Sequence, residues 1–171
     1  MRNILMCGGI FISALVLSGC VTTVDKIQDI QQRAMMSMRK PGEKMVAPPE
    51  DASRRYSCST YMKDKLVIEE IDVIPDRINA GDEINQRIRY GLCPNPPSGT
   101  MNGKIVRTVL FNGETQFEDI TYYAFKPGTW TIDAFIQVPR DVDEGMYDVE
   151  VVITYGSKTV RSMESFLVKK K

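Results

Sequence analysis

Hydrophobic positions follow three different patterns along the 171-residue chain, and each pattern predicts a different kind of segment. A short apolar run covers residues 4–17. Between residues 22 and 40, apolar side chains recur at helical spacing. From Lys65 onward, apolar and polar side chains alternate, which is typical of half-buried β-strands.

The alternating part of the chain predicts seven strands. Turn signals separate them roughly every 8–12 residues, which is the spacing expected of a β-sandwich. The predicted strands cover residues 66–74, 84–90, 104–111, 116–125, 130–138, 147–155 and 159–168. Asn112-Gly113 indicates a hairpin, because both of its turn residues must adopt positive φ. No helical pattern separates the strands, so parallel βαβ units are not expected. We therefore predict an all-β fold, a seven-stranded antiparallel sandwich.

Residues 22–40 are predicted to form one short N-terminal helix. Thr22 and Asp25 have the spacing of a capping box, and Pro41-Gly42 ends the helical pattern. Two roles remain open for this segment. It is either a stalk that contacts a partner, or a helix that packs on its own domain or frays as a solvated tether.

Residues 41–57 are predicted to be a Pro-rich linker, because Pro41-Gly42 and Pro48-Pro49 interrupt every periodic pattern. Such a stretch buries little apolar surface, so we expect it to be mobile and sensitive to proteases. The predicted organisation is a leader, then a helix with its linker, then the sandwich, at residues 1–19, 20–57 and 58–171.

The first 20 residues carry the features of an export signal. Arg2 precedes the apolar run and small residues follow it. The run is shorter than the ~20 residues that a membrane-spanning helix requires. Its last residues, Leu17-Ser18-Gly19-Cys20, resemble the lipobox of bacterial lipoproteins at all four positions. The alternative is an ordinary signal peptide in which a cysteine stands by chance.

The lipobox resemblance implies that residues 1–19 are removed and that the thiol of Cys20 carries a diacylglycerol. Each buried CH₂ of a lipid chain adds about 0.8 kcal/mol, so two or more chains anchor a protein stably. Lipoproteins held at the inner membrane tend to have Asp after the lipidated cysteine, whereas this chain has Val21. We therefore expect a lipid-anchored protein of the cell envelope, at the outer membrane where the source has one.

Two of the four cysteines remain once Cys7 leaves with the leader and Cys20 takes lipid. Cys58 precedes the first predicted strand and Cys93 follows the second, so antiparallel strands place both at one end of the sandwich. An exported compartment permits them to pair; free thiols or a bond to another chain are the alternatives. Because the linker enters at this end, we expect it to face the membrane. A partner is expected at the opposite loops, residues 75–83, 112–114 and 139–145.

The composition excludes several common chemistries. Basic and acidic side chains are balanced at 22 each, which offers no electrostatic reason for a nucleic-acid partner. The chain has no histidine, the commonest general base and zinc ligand. It contains no glycine-rich phosphate loop and no nucleophile motif. We therefore predict no enzyme activity, no cofactor and no metal site.

Two groups of residues are candidates for binding a partner. Asp141, Asp143 and Glu144 crowd one loop. Their spacing does not fit an EF-hand, so a solvated acidic loop is a simpler interpretation than a calcium site. Tyr122 and Tyr123 belong to an aromatic-rich segment that is suited to stacking on a sugar or a protein, although half of such residues are expected in the core.

Residues 65–168 resemble bacterial immunoglobulin-like and fibronectin-III-like domains. The resemblance is carried by Ile136-Gln137-Val138-Pro139, by residues 143–149 and by Phe166-Leu167-Val168. Tyr147 stands where such domains place a tyrosine-corner residue, whereas the antibody Cys…Trp…Cys spacing is absent. The resemblance implies a fold and not an activity.

These observations predict a lipid-anchored, non-catalytic module that contacts an envelope protein, as an interaction or structural subunit of an envelope assembly. The alternative is a glycan-binding module that recognises peptidoglycan or exopolysaccharide through exposed aromatic side chains. A glycan pull-down separates the two hypotheses, because a protein-binding subunit should ignore polysaccharide.

Overall fold

The computed structural model describes residues 42–58, 64–95 and 99–170, which contain nine strands and one short helix. In chain order these elements are β1 (Glu43–Ala47), α1 (Pro49–Arg55), β2 (Lys65–Ile74), β3 (Arg77–Asn79), β4 (Glu83–Cys93), β5 (Met101–Phe111), β6 (Glu114–Phe125), β7 (Gly128–Gln137), β8 (Gly145–Tyr155) and β9 (Lys158–Lys169).

The strands form two sheets, with the orders β1-β7-β4-β2 and β3-β9-β8-β5-β6. Every neighbouring pair is antiparallel except β3 and β9, which are parallel. Alternate side chains of both sheets meet in a shared core, as Ile88 and Ile132 of the first sheet do with Ile105 of the second. The predicted all-β, two-sheet architecture is therefore observed.

Two details of the predicted fold are wrong: the described residues contain nine strands instead of seven, and the second sheet is mixed. The seven predicted strands correspond to β2 and to β4 through β9. The sequence pattern missed β3 because three residues are too few to show alternation. Ile78 at its centre is nevertheless buried, and β3 pairs with β9 after the chain leaves the sheet of β2.

The stretch predicted as a linker contains β1 and α1 in the structure. β1 escaped the sequence pattern because it is held by backbone pairing with β7, and its side chains are mostly exposed. α1 begins with Pro49 at its first helical position, where a missing N–H costs nothing. Its Ala52 is buried, and the ring of Tyr56, just after the helix, packs on Gly91. Residues 43–56 are thus part of the domain.

A layer of polar side chains divides the core into two apolar clusters. The cluster nearer the disulfide contains Tyr90, Phe125 and Ile153, among others. The cluster at the other end contains Ile84, Val149 and Phe166. Arg107 and Gln86, both fully buried, lie between them.

The predicted bridge between Cys58 and Cys93 is present, with their Cα atoms 6.2 Å apart. Cys93 pairs with Lys65 at the start of β2, so the bridge lies at one end of the sandwich, as expected. The linker was also expected to enter the domain at this end, and this expectation is not met. β1 runs from Glu43, opposite Ile132, towards this end, so it joins the sheet halfway along β7. The position of β1 therefore gives no reason for the disulfide end to face the membrane.

The predicted leader, the lipidated Cys20 and the helix at 22–40 lie outside the described residues. Within the described ranges, none of the helical segments is long and apolar enough to cross a membrane.

Candidate functional site

A cavity of about 490 Å³ lies between the two sheets at the end opposite the disulfide. Ile84 and Ile136 of one sheet face Val109 and Phe117 of the other across it. The loop that follows β7 closes one side with Val142. The cavity therefore occurs among the loops where the sequence predicts a partner.

Three aromatic rings build the rigid wall of this cavity. Phe111 stacks on Tyr147 with ring centroids 4.5 Å apart, and Tyr147 in turn contacts Phe166 at 5.6 Å. Gly145 allows the chain to pass beneath this stack, because a Cβ there would lie 2.8 Å from the Phe111 ring. The wall is therefore fixed by packing within the chain.

Tyr147 also ties the acidic loop to the sandwich. Its hydroxyl donates a hydrogen bond of 2.9 Å to the backbone carbonyl of Asp143, as a tyrosine corner does. Burial, with the charge of Asp143 as a second cause, raises the pKa of Tyr147. The phenol therefore stays a neutral donor near pH 7 and holds the loop in place.

The rim of the cavity is polar and carries negative charge. Asp141 and Asp143 line it from the loop, and both residues are exposed to solvent. Gln116 and Gln137 contribute neutral amides from β6 and β7. An apolar interior with a few polar groups at its mouth is the usual construction of a binding pocket.

β1 borders the half of β7 that lies nearer the disulfide. β1 pairs with β7 from Thr129 to Ile132, and the carbonyl of Gly42 accepts a hydrogen bond from the Asp133 N–H. Further along β7, Ile136 and Gln137 line the cavity. The cavity therefore lies at the other half of β7.

A buried polar cluster lies one layer below the cavity. Arg107 donates from Nε to Gln86 at 2.8 Å and from Nη1 to Asp119 and Thr121, both at 3.3 Å. Burial lowers the pKa of Arg107, which Asp119 opposes, and arginine stays protonated. Nη2 of Arg107 and Nε2 of Gln86 have no hydrogen-bond partner among the described residues.

The structure brings only part of the predicted site together. Asp141 and Asp143 lie at the cavity, whereas Glu144 is exposed and does not line it. Tyr122 is 83% exposed on the outer face of β6. Tyr123 points to the inner face, where its hydroxyl bonds the carboxylate of Glu43 and burial raises its pKa. The two tyrosines therefore do not form one aromatic platform.

Sequence reasoning missed the residues that shape the cavity, chiefly Phe111, Gln116 and Val142. Phe111 and Gln116 flank the Asn112-Gly113 turn, and Val142 is the apolar residue within the acidic loop. An apolar side chain among three acidic ones was the available signal. The sheet order was also required, because it decides which strand ends face each other.

The side chains that line the cavity are apolar, amide, carboxylate or phenol groups. In the part of the chain that the structure covers, no group of three or more His, Cys, Asp or Glu could hold a metal ion.

Comparison with known proteins assigns no family to the chain. No family model matches it, and no curated protein matches its sequence.

Several solved structures are weakly similar to parts of this chain. A family 123 glycoside hydrolase from Clostridium perfringens matches 78% of this chain at 12% identity and a TM-score of 0.45. The CARDB domain of the PF1109 protein from Pyrococcus furiosus, in complex with di-metal ions, matches 67% at 17% identity and a TM-score of 0.44. The alkylpurine DNA glycosylase AlkC of Pseudomonas fluorescens, bound to DNA with an abasic site analogue, matches 71% at 12% identity and a TM-score of 0.43.

The matched regions are small parts of the two enzymes. The matched region spans 28% of the hydrolase chain and 37% of the glycosylase chain. In the CARDB domain, by contrast, the match spans 94% of the chain. At these identities and TM-scores the similarities carry no information on activity.

Proposed function

We propose that this chain is a lipid-anchored, immunoglobulin-like module of the cell envelope that binds another protein without catalysis. The observation that carries the proposal is the cavity between the sheets, rimmed by Asp141 and Asp143 and lined by apolar side chains. Its partner segment inserts an apolar or aromatic side chain there and places a basic side chain against the two carboxylates.

The size and construction of the cavity support this proposal. Its volume of about 490 Å³ lies within the usual range of ligand pockets, which is about 300–1,000 Å³. Burying one large apolar side chain stabilises a complex by roughly 1.5–3 kcal/mol. Pre-formed pockets that accept such anchors are where binding energy concentrates in protein interfaces.

The membrane part of the proposal rests on sequence. The lipobox at Leu17-Ser18-Gly19-Cys20 supports a lipid on Cys20, and Val21 supports the outer membrane. Replacing Cys20 by alanine should release the protein from the membrane or leave its leader uncleaved. In the natural protein, an intact N-terminus and a Cys20 without lipid would contradict this anchor.

The binding part can be tested by photo-cross-linking in the native cell. A photoreactive amino acid at Val142 should give one adduct with an envelope protein. The same amino acid at Ser157, in the turn at the disulfide end, is the matched control and should give none. The adduct from position 142 should also disappear in the Asp141→Lys, Asp143→Lys double variant, because the rim then repels a basic segment.

Three outcomes would overturn the proposal. They are equal adducts from both positions, an adduct that survives the charge reversal, and an adduct that polysaccharide-degrading enzymes remove but proteases do not. The last result would favour the alternative of a glycan-binding module.

A further inference from the structure

The strand β6 is an unusually open sheet edge. It has 12 residues and ends the second sheet, so no described strand pairs with its outer side. Its sequence, ETQFEDITYYAF, contains neither proline nor lysine. Such a strand presents a row of unpaired N–H and C=O groups to any chain that approaches.

The other three edges are protected from such pairing. β1 has five residues and β3 has three. β2 carries a bulge between Ile68 and Glu70, and its Leu66 backbone is bonded to the Tyr155 hydroxyl of the facing sheet. Short strands and bulges are the usual means by which proteins prevent edge pairing. β6 has an irregularity only near its start, opposite Val109 and Leu110.

The outer face of this sheet also carries apolar side chains up to the open edge. Ile120 of β6 lies beside Val106 of β5, which lies beside Val152 of β8. Ile120 is 50% exposed and Tyr122 is 83% exposed. An apolar row that ends at an unpaired edge would continue across a strand added to that edge.

We propose that β6 pairs with β6 of a second copy of this chain, in antiparallel orientation about a twofold axis at Ile120. The two five-stranded sheets then form one continuous sheet. The row Val152, Val106, Ile120 continues into the same three residues of the second copy. Such an interface is self-complementary, as a twofold dimer requires.

Two criteria select this register: the length of strand that is paired and the charges that are placed opposite each other. The centre of β6 lies between Asp119 and Ile120, so an axis at either residue pairs the longest stretch. An axis at Asp119 would place two like carboxylates opposite each other, which destabilises a strand pair. An axis at Ile120 instead places Glu118 opposite Tyr122 of the second copy, and Asp119 opposite its Thr121.

Asp119 does not block the pairing. Inward-pointing charges can protect an edge. Here the Asp119 carboxylate is already held within its own chain, by Arg107 at 3.3 Å and by Thr121 at 2.8 Å. Its charge is therefore compensated before a second strand arrives.

Cysteine cross-linking of the full chain in its native membrane tests the inference. In the Ile120→Cys variant the two cysteines face each other across the axis, and mild oxidation should join the chains. Met163→Cys is the matched control, because Met163 is 55% exposed on the same sheet face but belongs to β9. The Ile120→Cys dimer should form about tenfold faster or more, because pairing raises the local concentration of the thiols.

A second control tests the register. Two copies of a cysteine at position 118 would lie roughly 14 Å apart, since four residues separate them at about 3.4 Å each. Glu118→Cys should therefore cross-link as slowly as Met163→Cys. Cross-linking of Ile120→Cys no faster than Met163→Cys would overturn the dimer. Cross-linking of Glu118→Cys as fast as Ile120→Cys would overturn this register.

Discussion

Arg107 is the largest fully buried side chain of the described domain, and it separates the two apolar clusters. Alternation predicts that position 107 points inward but gives no sign that its partners would be Gln86 and Asp119, which lie on other strands. Buried ion pairs seldom stabilise a fold more than well-packed apolar residues would. Removing one partner alone is nevertheless costly, because it leaves the others unsatisfied.

We expect Arg107→Met to lower the free energy of unfolding by about 1–3 kcal/mol, because Gln86 and Asp119 lose their buried donor. The double variant Gln86→Leu, Arg107→Met should be more stable than this single variant, because it removes both ends of the Gln86–Arg107 hydrogen bond. Urea denaturation of the natural protein and of the single and double variants measures both effects. A double variant less stable than Arg107→Met would contradict this account of the cluster.

At the scale of elements, sequence reasoning succeeded where strands are long and failed where they are short. The seven long strands show clear alternation, and all seven are present. β1 and β3 are defined by the strands they pair with, which a local pattern cannot report. α1 was hidden because Pro48-Pro49 was interpreted as a breaker, although proline suits the first turn of a helix.

The docking of α1 depends on the missing side chain of Gly91. A Cβ at this position would lie 2.4 Å from the ring of Tyr56. We expect Gly91→Ala to destabilise the domain by about 1–3 kcal/mol, the usual cost of overpacking. Gly42→Ala is the matched control, because nothing lies within 4 Å of a Cβ there. Equal denaturation midpoints for the two variants would show that the Tyr56 contact does not hold α1.

The pairing of β1 with β7 should weaken in acid. Hydrogen bonds from Lys126 and Tyr123 lower the pKa of Glu43 from its ordinary value of 4.5. A pKa lowered by folding gives a stabilising contribution that is present above about pH 4.5 and lost as pH falls through the folded-state pKa. Below that range β1 should loosen.

The fluorescence of Trp130, the single tryptophan of the chain, reports this change. Trp130 pairs with Met45 of β1, and the Lys126 ammonium lies 4.8 Å from the centre of its ring. Its fluorescence should change as pH falls below about 4.5. Glu43→Gln should remove most of that change, whereas Glu114→Gln, at the exposed start of β6, should not. An identical acid response in both variants would contradict the role of Glu43.

At the scale of the whole molecule, the two ends of the sandwich are built differently. The bridge joins the segment after α1 to the end of β4, and the cavity opens at the opposite end. The alternating direction of antiparallel strands predicted which loops share each end. Asp141 and Asp143, which were candidates because they crowd one loop, line the cavity. The cavity itself could not be predicted, since it depends on which strand ends of the two sheets face each other.

The disulfide should contribute strongly to stability. The two cysteines are separated by 35 residues. The chain-entropy model gives a loop of that length about 4 kcal/mol. The double variant Cys58→Ser, Cys93→Ser should therefore unfold at lower urea concentration while keeping its strand content. Equal midpoints by circular dichroism for the variant and the oxidised protein would contradict this contribution.

Hydrogen exchange in isolated native envelopes tests the binding site most directly, with the purified protein as reference. We expect slower exchange in the envelope for the residues around the cavity, 111–117 and 139–147. The turns at the disulfide end, residues 126–128 and 156–157, should exchange equally in both samples. Protection confined to the disulfide end, or no protection at either end, would contradict the claim that the cavity holds a partner.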